Sequence, residues 1–258
     1  MNEKGKRKIL VVDDEITVCK SIRQAILSEE YEVDTALSGE EALKKDREKK
    51  YDLIITDLMM PGISGLDLLK SLKGGGSLAN VIMITGYPTI KTAVQSVKMG
   101  AFDYLPKPFT PVELRGIVSR AFKKAENEGK GRNEITALQM PPGLYYMLGH
   151  TWLKKEREYL ATVGVIYDFL KSVGIITQFE LPQKNDNVTQ GEVCATITDA
   201  EKFTHRIWSP ASGLVVEINE KLKEDYSLVR KDPYGSGWLF RIEPTNLEED
   251  LKGLLLSK

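Results

Sequence analysis

KILVVDDE, residues 8–15, is a run of apolar, largely β-branched residues that ends on two adjacent aspartates. A run without polar alternation is buried on both faces, as strands of a parallel sheet are. Four further short runs rich in β-branched, aliphatic or aromatic residues occupy residues 31–35, 53–56, 81–84 and 102–105. The stretches between them carry helical spacing, as in Val18, Ile22, Ile26 and Leu27, and Gly39, Gly65 and Gly100 punctuate the turns. Five βα units in succession predict a parallel sheet covered by helices on both faces.

The chain has 258 residues, enough for two ordinary domains, and its 41% hydrophobic and 28% charged residues are the balance of a globular protein. A net charge of -1 provides no overall field for nucleic acid or an anionic membrane, so neither is expected as a partner. Cys19 and Cys194 are far apart and lack metal-type spacing, which argues against a disulfide framework or zinc site and fits a reducing compartment. No signal-peptide core and no run of about 20 apolar residues is present, so a cytoplasmic protein is expected.

The polar residues of the first half cluster at strand ends. Asp13 and Asp14 follow the first run, Asp57 the third, Thr85 the fourth and Lys107 the fifth. In open α/β sheets ligands bind at the carboxyl ends of strands, near the point where strand order reverses. Three converging carboxylates repel one another unless a cation joins them, and an all-oxygen set favours a hard ion such as Mg²⁺. A carboxylate can also attack phosphorus to form an acyl phosphate, with the Lys107 ammonium neutralising the transferred group and the Thr85 hydroxyl bonding one of its oxygens. Lys107–Pro108 is a candidate cis peptide that would aim the lysine into the site.

VVDDE (11–15), TDLMMPGISGLDLL (56–69), ITG (84–86) and AFDYLPKPF (101–109) resemble the receiver domain of two-component response regulators. The resemblance covers about residues 7–124. It implies a flavodoxin-like α/β fold with strand order 2-1-3-4-5. It also implies Asp57 as phosphoacceptor, and Mg²⁺ held by Asp14, Asp57 and the backbone carbonyl of Met59, with Asp13 acting partly through water. Thr85 and Lys107 would bind the phosphoryl group, and Tyr104 matches the aromatic switch position. A sensor histidine kinase is the implied partner, and the family allows a homodimer through the receiver.

Composition changes near residue 123, where KKAENEGKGRNE (123–134) reads as a helix end running into a linker. The expected division is a receiver over 1–125, a linker over 126–140 and a second domain over 141–258. The last is mostly β, with strands expected at residues 159–163, 177–181, 193–198, 213–218 and 238–242. Helical patterning is confined to about 165–172, 226–230 and 247–255. No GxxxxGK[ST] loop or helix-turn-helix pattern follows the linker, so an ATPase module or DNA-binding output is disfavoured.

GHTWLKKEREYLATVGVIYDFLKSVGIITQFELPQKNDNVTQGEVCATI (149–197), SPASGLVVEINEKL (209–222) and LVRKDPYGSGWLFRIEP (228–244) resemble the H protein of the glycine cleavage system. The implied fold is a flattened lipoyl-type β-barrel sandwich in which a hairpin-tip lysine carries lipoate. The corresponding turn is TDAEKFTHRIW (198–208). Counting back from Ser209–Pro210 places the attachment position on Lys202; counting forward from Gly191 or Cys194 places it on Glu201. The turn thus reads as one residue longer than the family pattern, with Phe203 and Thr204 where small residues are usual and Asp199 as a stand-in for the family's glutamate. Lys221 and Lys223 lie outside the tip. His150 reads as structural beside Trp152, and His205 as a hairpin residue open to solvent.

Two readings stay open for Lys202. It carries lipoate, or it is a solvated hairpin lysine in a domain kept for protein contacts, with Phe203 as an anchor. The expected function is a two-component response regulator phosphorylated on Asp57 whose H protein-like domain is an interaction output with its own protein partner. The alternative is a lipoyl carrier controlled by phosphorylation. No nucleophile–base constellation appears in the second half, so the protein is not expected to be an enzyme.

Overall fold

The computed structural model describes residues 6–86, 92, 95–96, 98–129, 140–147, 150–157 and 159–257. The five apolar runs form β1 (Arg7–Val12), β2 (Tyr31–Ala36), β3 (Leu53–Asp57), β4 (Asn80–Thr85) and β5 (Asp103–Pro106). They pair in parallel in the order β2-β1-β3-β4-β5, the order the resemblance implies. Ile9, Leu10, Leu53, Ile54, Ile55 and Ile82 are wholly buried, which accounts for the absence of alternation in β1, β3 and β4, whereas the edge strand β2 keeps Glu32 exposed.

Helices α1 (Ile16–Ala25), α2 (Gly39–Lys49), α3 (Gly65–Gly74) and α4 (Pro111–Gly129) belong to this half. The start of α2 is set by Ser38, whose hydroxyl accepts from the Glu41 amide while the Glu41 carboxylate accepts from the Leu37 amide. The first bond satisfies a backbone donor that the first turn leaves unpaired, and the second ties the residue before the cap to that turn. Ser64 caps α3 through the Asp67 amide in the same way. α4 is tied to β5 by a buried ion pair between Arg120 and Asp103. It runs to Gly129, into the stretch expected as linker; residues 130–139 lie outside the described residues.

The second half forms two antiparallel sheets. Its strands are β6 (Tyr145–Met147), β7 (Thr151–Arg157), β8 (Leu160–Val165), β9 (Ile176–Glu180), β10 (Asn187–Val188), β11 (Val193–Asp199), β12 (Thr204–Trp208), β13 (Gly213–Ile218), β14 (Phe240–Pro244) and β15 (Leu255–Leu256). Seven of them order as β10-β13-β14-β8-β7-β6-β15, and three as β12-β11-β9. Short helices flank them: α5 (Tyr167–Ser172), α6 (Lys221–Glu224), α7 (Leu228–Lys231) and α8 (Leu247–Lys252). This is the mostly-β, lipoyl-type architecture expected of it.

Trp152 is central to this core. Its indole N–H donates to the Pro233 carbonyl at 3.0 Å, and its ring lies so close to Gly164 that any Cβ there would enter the ring. The helix expected over residues 247–255 ends at Lys252, because Gly253 closes it and Leu255–Leu256 pairs with β6 instead.

The chain divides into two compact units. Among the described residues no helix is long and apolar enough to cross a membrane.

Candidate functional site

In the first unit, the carboxyl ends of β1, β3, β4 and β5 converge. Asp13 and Asp57 are buried there, 2% and 7% exposed. The Lys107 ammonium joins them, donating to Asp57 Oδ1 at 2.7 Å and to Asp13 Oδ2 at 3.0 Å. The remaining oxygens are held by backbone: Asp57 Oδ2 accepts from the Met59 amide at 2.6 Å, and Asp13 Oδ1 from the Glu15 amide at 2.9 Å. Burial works against the charged lysine, but the hydrogen bonds and charges of Asp57 and Asp13 outweigh it, so its pKa lies above the ordinary value.

Backbone geometry delivers these side chains. The Lys107 amide donates to the Thr85 carbonyl at 2.7 Å, joining the end of β5 to the end of β4, and the Lys107–Pro108 bond is cis. Thr85 is fully buried, as is most of Tyr104. Gly65 opens α3 directly behind Asp57, where a Cβ would collide with the Asp57 carbonyl oxygen. A glycine is therefore required for α3 to approach β3 this closely.

Asp14 differs from its neighbour: its side chain is exposed. Among the described residues no group of three carboxylates is already spaced as a ligand set. The expected convergence is thus direct for Asp13 and Asp57, with Lys107 between them, while Asp14 stands at the solvent side. Two buried carboxylates against one ammonium leave an excess of negative charge at an all-oxygen donor set, which suits a hard divalent cation.

In the second unit, β11 and β12 form a hairpin whose turn spans Ala200–Phe203. Pairing is regular from Thr198↔Thr204 to Ala195↔Ile207, but the next pair is Val193↔Trp208, so Cys194 is an extra residue on β11. This is a β-bulge near the base of the hairpin.

Lys202 is exposed at the tip with φ of 67°, in the left-handed region. Beneath it, Asp199 and His205 are 0% and 1% exposed and hydrogen-bond to each other at 3.0 Å. His205 is therefore an interior residue and not open to solvent, because β12 turns alternate side chains inward and it is one of the inward set. Asp199 likewise offers no surface carboxylate. Phe203 is only partly buried, and His150 is buried against Phe169 and Trp208.

Comparison with known proteins separates the halves in the same way. The family profile of the response regulator receiver domain matches residues 9–119, and that of the glycine cleavage H-protein matches residues 144–258. The glycine cleavage system H protein of Shewanella halifaxensis is 37% identical over 110 residues, 43% of this chain and 84% of that protein. The chain is a receiver domain joined to an H-protein domain. Among solved structures, the response regulator receiver domain protein from Clostridium thermocellum is 35% identical, with a TM-score of 0.45, over 47% of this chain and 98% of that one. The H protein from Mycobacterium marinum is 28% identical, with a TM-score of 0.38, over 41% and 87%.

Sequence reasoning did not assign the internal pair under the H-domain tip. The signal was present: an aspartate opening the turn and a histidine six residues later face the same side of a short hairpin.

Proposed function

We propose that this protein is a response regulator whose receiver takes a phosphoryl group on Asp57 and whose H-protein domain is the output. The observation that carries the proposal is the Lys107 ammonium, 2.7 Å from Asp57 Oδ1 and 3.0 Å from Asp13 Oδ2. Asp57 attacks the phosphorus of a phosphohistidine on a sensor kinase, or of a small acyl phosphate. A carboxylate O–P bond forms as the bond to the donor breaks, and the donor departs with its electron pair. Lys107 balances charge on the transferred group, and the Met59 amide orients the nucleophile. The buried Thr85 hydroxyl is the group to bond a phosphoryl oxygen, and Tyr104 is the side chain that responds on the same edge. Mg²⁺ would be held by Asp13, Asp14, Asp57 and the Met59 carbonyl, where it supplies neutralisation of phosphoryl charge. Beyond loss of its own phosphate, no catalytic activity is proposed. The protein would act in the cytoplasm, as a monomer or as a receiver-mediated homodimer, with a protein partner for the H domain.

The exposure of Lys202 at the tip of the β11–β12 hairpin favours a second reading, in which it carries lipoate. There the neutral Nζ attacks the carbonyl carbon of a lipoyl adenylate held by a ligase. An amide forms as the bond to AMP breaks, and the amine proton leaves to solvent.

Intact mass and fragment mapping test both. With a small phosphodonor and Mg²⁺, the wild type should gain phosphate and Asp57→Ala should not; equal gain in both would rule Asp57 out. Protein from lipoate-supplied cells should carry the adduct on Lys202 under the second reading. An unmodified Lys202 beside a modified authentic H protein would leave the interaction role alone.

A further inference from the structure

Three non-glycine residues have positive φ among the described residues, Lys50, Asn185 and Lys202, and only Lys202 sits at the tip of a hairpin over the buried, hydrogen-bonded Asp199 and His205. A left-handed lysine is disfavoured on its own and persists when its surroundings over-determine it. Here they do. The two oxygens of Asp199 divide their work: Oδ1 accepts from the amides of Glu201 and Phe203, both at 3.0 Å, and Oδ2 bonds the His205 ring. The Asp199 carbonyl accepts from the Lys202 amide itself at 2.9 Å. One residue thus collects the amides on both sides of the lysine and the lysine's own.

The platform below is equally specific. The Ala200 amide donates to the Ile175 carbonyl at 2.8 Å, and Thr177 Oγ1 donates to the Thr198 and Asp199 carbonyls. Gly174 has no Cβ, and one placed there would stand 3.0 Å from Asp199 Oδ2, so the carboxylate fills that space.

We propose that Asp199 and His205 form an internal clasp that locks the Lys202 backbone in its left-handed conformation, and that this clasp is a positioning device for acyl transfer to Lys202. The first part stands on the hydrogen bonds alone; the second rests on the lipoyl-carrier reading. Neither residue touches the acyl group. Both act by fixing where the lysine stem leaves the turn, which a ligase that recognises shape must find unchanged.

The test uses the full chain. Amide exchange is followed at Glu201 and Phe203 in the wild type, Asp199→Ala, Asp199→Asn and His205→Ala. Acylation by a lipoate ligase with lipoate and ATP is measured on the same proteins, with an authentic H protein as control. Amides in β8 and β14 report whether each variant is folded. Asp199→Ala should speed exchange at Glu201 and Phe203 by about tenfold or more while leaving β8 and β14 protected. Its kcat/KM for acylation should fall by a similar factor. Asp199→Asn keeps a carbonyl oxygen for the two amides and should recover most of both losses. If Asp199→Ala unfolds the domain, the Asp199→Asn and His205→Ala pair carries the comparison, with His205→Ala expected to loosen the tip more. Wild-type protection at Glu201 and Phe203 in the folded alanine variants overturns the clasp. Lost protection with unchanged kcat/KM overturns the positioning role. A wild type left unmodified beside a modified control overturns the carrier reading and the positioning role with it, and exchange then decides the clasp by itself.

Discussion

Gly65 and Asp57 are packed so closely that no Cβ fits between the first turn of α3 and the Asp57 carbonyl oxygen. The contact is to backbone, which cannot swing aside as a flexible side chain can. Gly65→Ala should therefore displace α3 or the end of β3, at about 1–3 kcal/mol of stability. Because Asp57 sits at that strand end, the yield of phosphate on it should fall too. A thermal melt and a phosphorylation time course check this; a variant with wild-type values in both would refute the packing argument.

Removing Lys107 leaves Asp13 and Asp57 buried without their shared cation. Breaking a buried pair by deleting one partner costs about 3–5 kcal/mol, and less here because the lysine is partly exposed, so about 1–3 kcal/mol is expected for Lys107→Ala. Denaturant titration gives the number. The same variant should be stabilised by added Mg²⁺ more strongly than the wild type, since the two carboxylates no longer have an internal counter-ion. Equal stabilisation in both proteins would count against that view of the site.

At the H-domain tip the pH dependence has a definite sign. Burial acts to raise the Asp199 pKa, but the His205 hydrogen bond, the Phe203 amide and the His205 charge prevail, and it lies below its ordinary 3.8. A group with a depressed folded pKa contributes stability that is complete above the unfolded value and lost as pH falls through the folded one. Exchange protection at Glu201 should hold down to about pH 4 and collapse only below it. In Asp199→Asn that acid step should vanish; its survival would assign the step to another carboxylate.

Gly164→Ala tests the H-domain core. The added methyl must displace the Trp152 ring, which is also anchored to the Pro233 carbonyl. A loss of about 1–3 kcal/mol, with a shift in tryptophan emission, is expected. Unchanged emission would mean that the ring has another place to go.

The parallel sheet was legible because strands covered on both faces leave long apolar runs, and the polar residues that interrupt them, Asp13, Asp57 and Thr85, mark their ends. The hairpin was less so. THRIW at residues 204–208 has histidine and arginine in its centre and does not announce a strand; it becomes one by pairing with β11 and by sheltering His205 against Asp199. Local pattern carries no record of such a tertiary partner. The carboxylates differ for a similar reason: Asp13 and Asp14 are equivalent in sequence, and only the pleat of β1 decides which one faces inward.

The bulge at Cys194 has a geometrical consequence for the hairpin as a whole. A bulge bends its strand and increases local twist. An added residue near the base of the hairpin therefore alters its lean while the turn keeps its shape. Lys202 would then be offered along a different line of approach from the lysine of a hairpin without the bulge. An enzyme that grips only the last few residues would not sense the change, whereas one that also braces against the shaft of β11 would have to rotate to follow it.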